Sequence, residues 1–225
     1  MTTLRALSLL EARVLGVLVE KANTVPDSYP LSLNSLLSGC NQKTAREPVI
    51  NATEAEIQQA VDSLKTLHLA FESSGSRVTR YEHNMSRVLA VPSQSVALLA
   101  TLLLRGPQTT AELRANSERL HRFADISSVD GFLDELAERS GEKGGPLALK
   151  LPRAPGAREA RWTHLLCGEV DTSAMPVASD GDGFVASGEI AAMKLQQSAL
   201  RVELDELRSL VERLYAELGV ARDLN

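Results

Sequence analysis

The sequence predicts a mainly α chain with small β-hairpins, an α+β fold in which one plan of three helices and a hairpin is used twice and a heptad-patterned helix follows. Three observations carry this. The order helix, helix, helix, strand, strand is legible over residues 1–90 and again over 91–168. Residues 169–186, "EVDTSAMPVASDGDGFVA", lose all periodicity and are rich in Asp, Ser, Gly and Pro, the composition of a flexible acidic linker. Residues 187–219 recover an apolar pattern in steps of three and four.

The first helix is expected in "SLLEARVLGVLVEKAN", where Leu10, Val14, Val17, Leu18 and Lys21 keep the helical period and Ser8 with Glu11 forms a capping box. A proline-flanked loop, "TVPDSYP", leads to a second helix from Ser32 to about Cys40 with Leu33, Leu36 and Leu37 on one face. The third begins at Thr53, capped with Glu56, and carries Ile57, Val61, Leu64 and Leu67. Two short strands, "LAFESS" and "RVTRYEHN", flank a turn at Gly75. This is the plan of a winged helix, a helix-turn-helix core with a hairpin wing.

The second copy reads "SQSVALLATLLLRG", then "TTAELRANS", then "SSVDGFLDELAERS" with Val129, Phe132, Leu133 and Leu136 on one face, and a hairpin from "LALKLPR" to "RWTHLLCG". The connection from Met85 to Pro92 is short, so the two winged-helix domains are expected to pack together. In the last segment Ile190, Met193, Gln197, Leu200, Leu204, Leu207, Val211, Leu214 and Leu218 make a coiled-coil-like seam in which only Gln197 is polar. Ser187 can open that helix and Gly219 can close it. With Ile190 at position a, Glu203 and Arg208 meet as opposite charges in a parallel homodimer, which is the expected use; the alternative is that the stripe folds back on its own domains.

The net charge is −5, and the tail supplies it: residues 1–90 are balanced, 91–168 carry +1 and 169–225 carry −6. A balanced body shows no broad basic face of the kind nucleic-acid binders present. No apolar run is long enough to span a membrane, and the N-terminus has neither the continuous apolar stretch nor the cleavage site of a signal peptide, so a cytoplasmic protein is expected. Cys40 and Cys167 are far apart, and His68, His83, His121 and His164 are isolated, so no disulfide, metal or cofactor is implied. No nucleophile elbow, phosphate loop or zinc motif is present, and an enzyme is not expected.

The runs E-A-R-V-L, P-D-x-Y-P-L-S-L-N and C-N-Q-K-x-x-R-E-P-V, followed by the strand from Tyr81 to His83, closely resemble the YceH family, a bacterial family of unknown function. The resemblance spans residues 5 to about 168 and implies a tandem winged-helix fold. It brings no catalytic residues with it.

Two functional readings follow. In the first, duplex DNA is contacted in a regulatory role. Lys43 and Arg46 in the loop after helix two, with Arg77 and Arg80 on the wing, would meet phosphate, and Gln58 and Gln59 would face base edges. Glu54, Glu56 and Asp62 on the same helix, and Asp130, Asp134, Glu135 and Glu138 on its counterpart, work against it. In the second, the same surfaces and a dimerising tail bind another protein as a non-enzymatic scaffold. Asn41, Gln42, Glu47 and Pro48 of the motif loop are expected to shape the loop itself: Asn41 as a left-handed residue closing helix two, Gln42 as a partner of the loop backbone, and Pro48 by holding Glu47 out of a helix. Cys40 closes an apolar helix face and is expected to be packed rather than reactive.

Overall fold

The computed structural model describes residues 4–73 and 78–170, which fall in one compact unit. Arg77 and the whole heptad seam, from Ile190 through Met193, Gln197, Leu200, Leu204, Leu207, Val211 and Leu214 to Leu218, lie outside the described residues.

Helix α1 (Leu9–Thr24) is the centre of the unit. Its capping box forms as the sequence predicts: Ser8 Oγ accepts from the Glu11 N–H at 3.2 Å, and the Glu11 carboxylate accepts from the Ser8 N–H at 2.7 Å. The predicted stripe is only part of what α1 buries. Val14, Leu15, Val17 and Leu18 are all at 0% exposure, and every residue from Glu11 to Val19 is buried, so this stretch of the helix is enclosed on every side. Helices α2 (Leu33–Cys40) and α3 (Glu54–Thr66) pack against it within the first half, and helix α5 (Ser93–Arg105) packs against it from the second.

Two glycines make those approaches possible. A Cβ on Gly16 would stand 2.9 Å from Leu104 Cγ of α5, and one on Gly39 of α2 would stand 2.6 Å from Val17 Cγ1. Both are closer than carbon atoms can settle without displacement.

The first hairpin is β2 (Ala70–Ser73) and β3 (Arg80–His83), antiparallel, with Glu72 opposite Tyr81. A further strand, β1 (Leu31–Ser32), pairs with β3 and gives the order β1-β3-β2. Two residues are too few to show a period, so β1 has no signal in the sequence. The short connection is itself helical: α4 (Met85–Leu89) buries Met85 and Leu89.

The second half repeats the order with α5, α6 (Thr110–Asn116), α7 (Ile126–Ala137), β4 (Ala148–Lys150) and β5 (Trp162–His164). A single antiparallel bridge from Gln108 to Trp162 precedes α6 as β1 precedes α2. Among the described residues the fold is therefore α+β, with seven α-helices and two small antiparallel sheets. Backbone bonds tie the halves together: the Leu7 N–H donates to the Leu166 carbonyl at 2.8 Å, and the Glu47 N–H donates to the Leu104 carbonyl at 2.8 Å.

Candidate functional site

The loop from Asn41 to Ala52 joins α2 to α3 and holds most of the motif residues. Asn41 clamps it: its Nδ2 donates to the Ala52 carbonyl and its Oδ1 accepts from the Ala52 N–H, both at 2.8 Å. Asn41 is not left-handed, contrary to expectation. Its φ is −86°, and the positive φ in this loop belongs to Ala45 at 59°. With both side-chain groups drawn to Ala52, Asn41 stays near the helical region, and the reversal comes later. Gln42 bonds side chains rather than backbone, donating to Thr44 Oγ1 at 3.2 Å and accepting from Arg46 Nη2 at 3.4 Å.

Arg46 faces inward. Its Nη1 and Nη2 donate to the two carboxylate oxygens of Glu20 at 3.1 and 2.6 Å, its Nε donates to the Gly39 carbonyl at 3.1 Å, and its side chain is 0% exposed. The phosphate contact expected of Arg46 is corrected by this placement, because a guanidinium with its donors spent inside the protein has none to offer outside. Burial acts to raise the Glu20 carboxyl, but Arg46 and Lys21 outweigh it and hold the group below the usual range.

A second buried guanidinium lies nearby. Arg13, 3% exposed, donates from Nη1 to the Cys40 carbonyl at 3.2 Å and from Nη2 to the Pro48 carbonyl at 2.6 Å. The carbonyls of Gly39 and Cys40 end α2, where a helix leaves acceptors unsatisfied and carries partial negative charge. Arg46 and Arg13 answer both. The Glu47–Pro48 and Tyr29–Pro30 peptide bonds are cis.

The other predicted contact residues are placed as follows. Lys43 is exposed and makes no hydrogen bond or ion pair among the described residues. Arg80 turns its guanidinium to the backbone around β1, donating to the Pro30 carbonyl at 2.8 Å and the Ser28 carbonyl at 3.4 Å. Gln58 is spent on both ends, donating to Asp62 at 3.1 Å and accepting from the Tyr81 hydroxyl at 3.1 Å, whereas Gln59 is exposed. Lys65 is ion-paired with Glu72 and, at 3.5 Å, with Asp62. Cys40 is fully enclosed, and burial pushes its thiol up to about 12, far from a reactive thiolate.

Beside the loop, between the two halves, lies a cleft of about 480 Å³. Its walls are mainly apolar, with Leu10, Ile50, Leu102 and Leu103 among them, and Arg13, Glu47, His164 and Cys167 also line it. Sequence reasoning singled out neither Arg13 nor this cleft. The available signal was an arginine set within the apolar run "EARVLGVLV", where a charge is costly unless it is used.

Comparison with known proteins places the chain. A family model described as "Protein of unknown function, DUF480" matches residues 7–157. The chain belongs to the DUF480 family. Relatives carry the description UPF0502 protein: one from Leptothrix cholodnii is 63% identical over 222 residues, covering 97% of this chain and 98% of the relative. One from Burkholderia pseudomallei strain K96243 is 61% identical over 96% of this chain and 91% of its own length, and one from Paraburkholderia xenovorans is 61% identical over 97% and 91%. The DUF480 match contains Arg13, Glu20 and the whole loop to Ala52, and ends before His164 and Cys167. These names agree with the expected family of unknown function, under the DUF480 and UPF0502 titles rather than YceH. Among the described residues no helix is long and apolar enough to cross a membrane.

Proposed function

We propose that the chain is a tandem winged-helix protein that works without catalysis, as a module whose third helices bind the basic surface of another protein. The observation that carries this is the charge left exposed on α3. Glu54, Glu56 and Asp62 are exposed, Lys65 is neutralised by Glu72 and Asp62, and Arg46 is buried on Glu20. The equivalent helix α7 exposes Asp134 and Glu135, with Glu138 just past its end. Such faces repel phosphate and attract lysine- and arginine-rich protein surfaces.

The test is a photo-crosslinking residue at exposed Gln59, used in living cells of a bacterium that carries the gene. The expected product is one discrete protein adduct that disappears when Glu54→Lys and Asp62→Lys are combined. An adduct indifferent to this charge reversal sinks the reading.

A second reading, duplex DNA, is favoured by one observation: Lys43 stands exposed in the loop and unpaired among the described residues. It would act with Arg77, Arg80 and Gln59, Gln58 being already bonded at both ends. Salt-dependent binding of duplex genomic fragments, measured by anisotropy and weakened by Lys43→Ala and Arg80→Ala, would put this reading in place of the first. In either case the heptad segment is proposed to join two copies. Light scattering of the full chain and of residues 1–168 should then give a dimer and a monomer respectively.

A further inference from the structure

The cleft between the halves holds a charge imbalance that the partial negative charge ending α2 offsets only in part. Arg13 is buried, yet forms no ion pair with any carboxylate among the described residues; its two terminal nitrogens go to backbone carbonyls. The nearby Arg46 takes up Glu20, so the buried cluster has more guanidinium than carboxylate. Burying a cation without a matching anion is costly, and such a site is held only where something is gained elsewhere.

Two buried nitrogens without a hydrogen-bond partner belong to residues of this one cleft: Arg13 Nε and His164 Nδ1. Buried polar atoms are nearly always satisfied. The acidic groups lining the cleft form no ion pair with Arg13. The Glu56 carboxylate is committed to Thr53, accepting from its N–H and its hydroxyl at 2.7 Å each, and Glu47, exposed to solvent, acts on Arg13 only through space. The volume, about 480 Å³, is that of a small-molecule site, and its walls are mainly apolar.

We propose that this cleft binds a small organic anion, an apolar body bearing one carboxylate, with the carboxylate answering Arg13 and the body resting on Leu10, Ile50, Leu102 and Leu103. The remaining titratable groups are compatible. His164, held neutral by burial down to about pH 4, can donate from one ring nitrogen, and burial together with the Glu11 carboxylate raises the Cys167 thiol, so it stays protonated. This inference concerns the cleft alone and does not depend on what α3 and α7 bind.

The probe is 4-phenylbutyrate, compared with 4-phenyl-1-butanol and 4-phenylbutylamine, on the full-length wild-type chain by titration calorimetry. The acid is expected to bind one to one and about tenfold or more tighter than either analogue. Location is read from Cys167, which lines the cleft, while Cys40 is enclosed and serves as an unreactive internal reference. Bound acid should slow alkylation of Cys167 by iodoacetamide several-fold, followed by mass spectrometry. Arg13→Met should abolish the preference for the acid. If that variant does not fold, the wild-type comparison of three head groups still decides. Equal binding of acid and alcohol, tighter binding of the amine, no binding at millimolar acid, or binding that leaves the Cys167 rate unchanged would each overturn the proposal.

Discussion

Arg46 and Glu20 meet through two parallel hydrogen bonds, the shorter 2.6 Å, on a guanidinium that no solvent reaches. They are 26 residues apart, one in the loop after α2 and one near the end of α1. The pair therefore fastens the motif loop to the central helix, and Arg46 Nε adds the Gly39 carbonyl to the same knot.

Removing one partner leaves the other charge buried. Arg46→Ala is expected to lower stability by about 3–5 kcal/mol in urea denaturation, and the double change Glu20→Met with Arg46→Met by clearly less. Arg46→Lys should not rescue, because an ammonium cannot make the two-pronged contact. Wild-type stability in Arg46→Ala would mean that the pair does not hold the loop.

Asn41 is the second fastening. Asn41→Asp keeps the oxygen but replaces the donor that reaches the Ala52 carbonyl; Asn41→Leu removes both bonds. Each is expected to cost about 1–3 kcal/mol. Hydrogen exchange at the Ala52 amide should rise sharply in Asn41→Leu and little in Asn41→Asp.

Gly39 tests the packing of α2 on α1. Gly39→Ala places a methyl 2.6 Å from Val17 Cγ1 and should cost about 1–3 kcal/mol despite the better helix propensity of alanine. Adding Val17→Ala makes room, so the double variant should recover part of the loss. Additive losses would show that the two residues do not meet.

Acid should act through His164. Burial lowers its pKa from the ordinary 6.5 to about 4, so the folded chain resists a proton that the unfolded chain accepts. The stability tied to neutral His164 is fully present above about pH 6.5 and is lost as the pH falls toward 4. His164→Phe should flatten the stability profile in that window. A second loss lies lower: Arg5 holds the Glu11 carboxyl near 2, and its contribution, present above 4.5, fades between the two values. Glu11→Gln should remove that limb and leave the upper one.

What could be read from the sequence was what local chemistry decides. The capping boxes at Ser8 and Thr53 form with the partners their spacing implies, and the apolar periods of α3 and α7 point inward at Ile57, Val61, Val129 and Leu133. The site was harder, because its meaning lies in distant partners. Nothing near Arg46 in the chain signals that Glu20 will enclose it, so a loop cation read as a surface group. The same holds for α1: its stripe was visible, but the burial of Gly16 depends on Leu103 and Leu104 of a helix far along the chain. An all-apolar run around an arginine was the one local hint that α1 is covered from both halves.

The position of α1 has a consequence for how the chain is made. It leaves the ribosome before the other described helices, yet part of its covering, α5, is finished about 80 residues later. At ordinary elongation rates that interval is on the order of 4 to 16 s. During it the apolar residues that will meet α5 have no native partner, so a newborn chain depends on whatever shields it near the exit tunnel, and slowing translation between α1 and α5 should lower the yield of folded protein.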